Sequence, residues 1–115
     1  MSRALGQHYE ARAMSEIKAA RYQLIAQNFQ IRQGEIDIIA LSPGQDLCFI
    51  EVKYRKDKAF GGAISAVSKT KQAKIIKTAY AFLHQHPQWR AHVVRFDVLA
   101  FDGDHVQWIK HAFMA

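Results

Sequence analysis

Two apolar, strand-like runs in this chain each carry charge where a sheet interior tolerates it least. Gly34-Glu35-Ile36-Asp37-Ile38-Ile39 sets Asp37 among isoleucines, and Phe49-Ile50-Glu51-Val52-Lys53-Tyr54-Arg55 sets Glu51 and Lys53 among Phe, Ile and Val. A lone carboxylate or ammonium inside a sheet is costly unless it is paired or coordinated. Strand side chains alternate, so Glu51 and Lys53 share one face while Ile50, Val52 and Tyr54 take the other. Ser42-Pro43-Gly44-Gln45-Asp46 reads as a turn, which makes the two runs antiparallel neighbours and lets Asp37 face the side of Glu51. Two carboxylates held together repel and raise a pKa. A divalent cation relieves that repulsion, and Mg²⁺ needs only one or two carboxylates, keeping its remaining positions for water and phosphate. Asp37 and Glu51 are therefore expected metal ligands for Mg²⁺ or Mn²⁺, with the backbone carbonyl of Val52 as a third. Lys53 is expected to position and help deprotonate an attacking water and to stabilise charge in a phosphoryl transition state. The simpler alternative for Glu51 and Lys53 is a cross-face ion pair.

The pattern around these runs is that of an α/β protein, and residues 1–115 read as one domain. Leu5 to Ala26 reads as a helix, with Gly6, Glu10, Ala13, Ile17, Ala20 and Leu24 on one stripe and Gln27-Asn28 as its end. Phe29 to Arg32, Glu35 to Ala40 and Leu47 to Tyr54 read as strands in a meander. Residues 55 to 62 form a charged loop that ends in glycine. A second helix is expected over Ser68 to His86, with Ile75, Ile76, Ala79, Phe82 and Leu83 inward and Pro87 as its stop. His92 to Phe101 alternates with Val94, Phe96, Val98 and Ala100 on one face; Asp102-Gly103 signals a hairpin, and Val106 to Ile109 returns. The order is α-β-β-β-α-β-β. A central mixed sheet flanked by helices satisfies the layer rule, with a parallel crossover through the second helix. No run of about 18 apolar residues suggests a membrane span, and the N-terminus lacks the apolar segment of a signal peptide, so a cytoplasmic location is expected. The single Cys48 reads as a small core residue.

Other charges have two readings each. Glu10 falls on the apolar stripe of the first helix. It either suits the helix dipole or is a third acid delivered to the metal, directly or through water. Glu35 is either a solvated strand-start residue or a water-mediated metal contact. With 16 Lys and Arg against 10 Asp and Glu, the chain carries +6, which favours a polyanionic partner. Arg55, Lys56 and Lys58 crowd the loop after the acidic run; Lys69, Lys71, Lys74 and Lys77 follow on the second helix. They are either an ordinary solvated face or a track for a phosphate backbone, with Lys71 and Lys74 its expected helical contacts. The histidines show no zinc spacing, and no Gly-rich phosphate loop or serine elbow is present.

Asp37, thirteen intervening residues, then Glu51-Val52-Lys53 has the form of the core motif of PD-(D/E)XK nucleases. Gly6 with Glu10, Asn28, Gly34-Glu35-Ile36-Asp37, Phe49 to Arg55, Phe60-Gly61, Lys71 and Arg95-Phe96-Asp97 together resemble the YraN-type family of small bacterial proteins. Tyr9 stands where a smaller residue is expected before the helix glutamate. That family resembles the Holliday-junction-resolvase branch of the restriction-endonuclease-like fold. The resemblance implies Glu10, Asp37 and Glu51 as acidic site residues, Lys53 as the catalytic lysine and Mg²⁺ as the metal. It also allows homodimers, because resolvases cut two strands symmetrically. The resulting expectation is a metal-dependent nuclease acting on branched, damaged or single-stranded DNA, selective for structure rather than sequence. The alternative is a non-catalytic nucleic-acid-binding protein of the same fold in repair, recombination or uptake complexes.

Overall fold

The computed structural model describes residues 3–55 and 67–115. Its elements run α1 (Arg3–Ala19), β1 (Gln23–Ile31), β2 (Gly34–Leu41), β3 (Leu47–Arg55), α2 (Lys69–Gln85), a short 3₁₀ turn (Pro87–Trp89), β4 (Val94–Asp102) and β5 (His105–Phe113). The five strands lie in sequence order in one sheet. Only the β3–β4 pairing is parallel; β1–β2, β2–β3 and β4–β5 are antiparallel. The α/β class, the mixed sheet and the order α-β-β-β-α-β-β are those expected from the sequence.

A helix covers each face of the sheet. Under α2 lie Ile36, Ile39, Phe49, Phe96, Val98 and Ala100, packed on Ile75, Ala79 and Phe82. Under α1 lie Ile38, Ala40, Cys48, Ile50, Leu99 and Phe101, packed on Ala13 and Ile17. The β-branched and aromatic content of β2 to β4 suits a sheet buried on both faces. Helix α2 is closed as its sequence announces. Ser68 Oγ accepts from the Lys71 amide at 3.1 Å, the His86 amide bonds back to the Phe82 carbonyl at 2.9 Å, and Pro87 follows.

The first helix is shorter than its apolar stripe suggests. It ends at Ala19, and β1 begins at Gln23, within the stretch read as helix to Ala26. Arg21 takes a left-handed φ of 64°, the Tyr22 amide reaches the Ile17 carbonyl at 3.1 Å, and the Arg21 amide reaches Lys18 at 3.0 Å. That pair of bonds is the Schellman closure of a helix. Leu24, assigned to the helical stripe, lies on β1 with 39% of its surface exposed. Asn28 does not end a helix; it is a left-handed residue (φ 51°) inside β1. The return strand β5 is also longer than Val106 to Ile109, continuing to Phe113 past a register shift.

Candidate functional site

The acidic site lies where β2 and β3 part. Their ladder runs from Leu41↔Leu47 to Ile38↔Ile50 and stops; one further step would set Asp37 opposite Glu51. The Asp37 side chain fills the gap. Its Oδ2 accepts from the Val52 backbone N–H at 2.8 Å, taking the bond a β2 carbonyl would otherwise receive. A carboxylate thus ends the ladder and holds the strands apart at one point.

Glu51 is buried beside it and alternates with Phe49 onto the α2 face. Lys71, in the first turn of α2, brings its Nζ to 3.3 Å from Glu51 Oε2. That contact is outside hydrogen-bonding geometry, so among the described residues the buried Oε2 has a nearby charge and no hydrogen-bond partner. Asp37 is pushed up to about 8 from an ordinary 3.8, first by burial, then by its hydrogen-bonding contact with Glu51 and the Glu51 charge. The Val52 amide and Lys71 pull it back only in part. Glu10 is raised by burial and then by the charges of Asp37 and Glu35, so the helix α1 acid does approach the same region. Tyr9, one residue earlier, stacks on Tyr54 at 4.6 Å and 7° and leans on Phe101 at 5.4 Å, which ties the α1 turn carrying Glu10 to the end of β3.

Lys53 lies one alternation beyond Glu51 and is half-buried. Glu35 is exposed at the start of β2. Lys71 sits against Glu51 with its side chain 42% exposed, whereas Lys74 is open to solvent. Arg55 ends β3; its side chain, and the expected phosphate contacts Lys56 and Lys58, lie outside the described residues.

The donor set suits a hard divalent ion. Among the described residues no three His, Cys, Asp or Glu side chains converge as a ready-made cage. A two-carboxylate site matches Mg²⁺ or Mn²⁺, which do not require one. The unsatisfied Glu51 oxygen and the mutual repulsion that raises Asp37 are what a cation between them would relieve.

A second charged cluster is built on Arg95 and Asp97 of β4. Arg95 bonds both carboxylate oxygens of Asp97 at 2.9 Å and also reaches the Tyr22 hydroxyl. Trp108 Nε1 donates to Asp97 at 2.9 Å, and the His111 amide donates at 3.2 Å from the β5 irregularity. Asp97 is fully buried and fully satisfied, so this network is structural. Its signal was available: Arg-x-Asp places both charges on one face of a core strand.

A profile of the uncharacterised protein family UPF0102 matches residues 9–101. Similar proteins include a UPF0102 protein of Pseudomonas putida, 36% identical over 94% of this chain and 91% of that protein. Another from Aeromonas hydrophila is 41% identical over 94% of this chain and 83% of its own length, and one from Stutzerimonas stutzeri is 37% identical over 97% and 96%. A crystal structure of a repair endonuclease from Pyrococcus abyssi superposes with a TM-score of 0.45 at 15% identity, covering 82% of this chain and 37% of that chain. This chain spans well under half of that endonuclease, and the likeness is too slight to bear on chemistry.

Proposed function

We propose that this chain, which belongs to the UPF0102 family, is a divalent-metal-dependent nuclease that hydrolyses phosphodiester bonds of DNA by recognising structure rather than sequence. One observation carries the reading: Asp37 and Glu51 are held together at a break in the sheet, with a buried Glu51 oxygen that has no hydrogen-bond partner among the described residues. A structural pair would be completed like Arg95 and Asp97; among the described residues this one has only the Lys71 ammonium beside it, outside hydrogen-bonding geometry.

Asp37 and Glu51 would hold Mg²⁺ or Mn²⁺, with the Val52 carbonyl beside them and Glu10 reaching the ion through water. Bound there, the ion would supply Lewis-acid polarisation of a phosphate oxygen and a more acidic water. The Val52 amide fixes the rotamer of Asp37, so that one carboxylate oxygen is committed to the backbone, and a cation would take the other in place of its contact with Glu51. Lys53, on the face of Glu51, orients the attacking water and offsets negative charge that grows on the phosphate. Glu10 takes part from the α1 side as an acceptor for the proton of that water.

The test is a panel of end-labelled duplex, single-stranded, flap and four-way DNA, incubated with Mg²⁺, Mn²⁺ or EDTA. Metal-dependent cleavage that Asp37→Ala abolishes is the expected result. A calorimetric Mn²⁺ titration should show one site in the parent protein and none in that variant. Nucleic-acid binding without cleavage in any metal would leave a non-catalytic binding protein, and absence of both would end the nucleic-acid reading.

A further inference from the structure

A basic groove of about 640 Å³ runs between the β1–β2 turn and the outer face of α2, lined by Arg32, Gln33, Thr70, Ala73, Lys74 and Lys77. We propose that this groove binds the phosphodiester backbone of the nucleic-acid strand entering the Asp37–Glu51 site, with Arg32 and Lys77 as its outer phosphate contacts. The inference rests on the nuclease reading for its substrate.

Three observations support it. The first is close approach. A Cβ on Gly34 would stand 2.7 Å from Thr78 Oγ1 and 3.2 Å from the Lys74 carbonyl, so only glycine lets the turn lie against α2. That contact fixes Arg32 beside Lys74 and Lys77 and makes the groove a feature of the fold. The second is charge placed against local stability. Helix α2 contains no Asp or Glu, and Lys69, Lys71, Lys74 and Lys77 occupy its N-terminal part. Lys69 and Lys71, in the first turn, oppose the helix dipole, and Lys71, Lys74 and Lys77 repel one another at three-residue spacing. The described lining of the groove includes no carboxylate that would compensate them. The third is direction. Three residues advance a helix by about 4.5 Å, so Lys77, Lys74 and Lys71 form a line of charge, and its last member touches Glu51 at 3.3 Å. The line therefore leads from the open groove to the acidic site. Arg and Lys with no base-reading element recognise backbone charge, a chemistry that DNA and RNA share.

Binding should be measured by fluorescence anisotropy in EDTA, on labelled 30-base-pair DNA and RNA duplexes and a four-way DNA junction. The parent protein is compared with Arg32→Gln/Lys77→Gln and with Lys18→Gln/Lys110→Gln, which removes the same charge elsewhere. The groove variant should bind about tenfold or more weakly, and its slope of log K against log salt on duplex DNA should flatten by about 1.8, at roughly 0.9 per lost contact. The control should stay within about twofold. Equal weakening in both variants would reduce the effect to net charge and overturn the groove. An unchanged groove variant overturns the groove while leaving the nuclease reading in place, and a parent protein that binds none of the duplexes or the junction overturns both. The DNA and RNA arms show which backbone the groove prefers.

Discussion

Burial and the neighbouring Glu51 push Asp37 up to about 8, so in the absence of a cation its protonated form is favoured toward neutral pH. The sign of the linked stability follows. Between its ordinary 3.8 and about 8, the native state holds a proton that the unfolded chain has lost. Native stability in the absence of metal must then fall as pH rises through that window. Asp37→Asn keeps an acceptor for the Val52 amide and cannot ionise. Without metal it should match the parent at pH 4 and melt about 4 °C or more higher at pH 8, the shift that roughly 1 kcal/mol produces at about this size. Equal pH slopes for the two in thermal melts would show that Asp37 is not strained by its charge. Lys53 is read through catalysis instead. Lys53→Ala should retain the circular dichroism spectrum and nucleic-acid affinity and lose cleavage by about 100-fold or more, as for removal of a transition-state donor. Wild-type cleavage by that variant would leave Lys53 a structural partner of Glu51. The acidic pair was legible because charge among isoleucines is anomalous on its face. Lys71 against Glu51 was not, because its position depends on how α2 docks, and strand or helix periodicity does not encode that.

Elements were legible where local chemistry and tertiary contacts agree. Helix α2 has a serine cap, a clear apolar stripe and a proline stop, and its observed limits, Lys69–Gln85, fall one residue inside each expected end. Helix α1 was overextended because the left-handed residue closing it is Arg21 and not the usual glycine. Gln23 to Ala26 instead lie on β1, where pairing with β2 overrides a helical spacing that continues by coincidence. The β1–β2 turn is sensitive to a single methyl group. Gly34→Ala would drive a Cβ to 2.7 Å from Thr78 Oγ1, whose hydroxyl bonds the Lys74 carbonyl at 2.7 Å. Urea denaturation should show a loss of about 1–3 kcal/mol, the usual cost of overpacking. Thr78→Ala in the same chain should recover part of it, and a double-mutant cycle should be clearly non-additive. Additivity would mean that the turn moves away as a unit and that its seat on α2 is loose.

The molecule as a whole completes one buried charge cluster and leaves another unfinished. The two lie one step apart on the β3–β4 ladder, where Asp97 pairs with Ile50 and Val98 with Glu51, and they alternate onto opposite faces of the sheet. At the finished cluster, Asp97 accepts from Arg95, Trp108 Nε1 and the His111 amide, drawing β4 and β5 together and reaching Tyr22 before β1 through Arg95. Asp46 adds an ion-pair contact to Arg95 at 3.6 Å from the β2–β3 turn. At the other cluster, β2 and β3 separate around carboxylates that lack that completion among the described residues. Removing a carboxylate should therefore have opposite effects at the two clusters in metal-free protein at pH 8. Loss of charge at Asp37 relieves repulsion, while loss of Asp97 strands the Arg95 guanidinium, only 9% exposed at its side chain, and leaves two part-buried donors without their acceptor. Asp97→Ala should cost about 3–5 kcal/mol, the scale for breaking a buried pair on one side. Asp97→Asn keeps an acceptor of the same shape but lacks the charge that Arg95 needs, so its cost should fall between those of alanine and wild type. Urea unfolding of both variants supplies the numbers, and native-state amide exchange supplies their location, with protection in β4 and β5 falling first. A loss below about 1 kcal/mol in Asp97→Ala would mean that water or a shifted Asp46 can replace the carboxylate, and the Arg95–Asp97 cluster would then not be what steadies the sheet against the strain at Asp37 and Glu51.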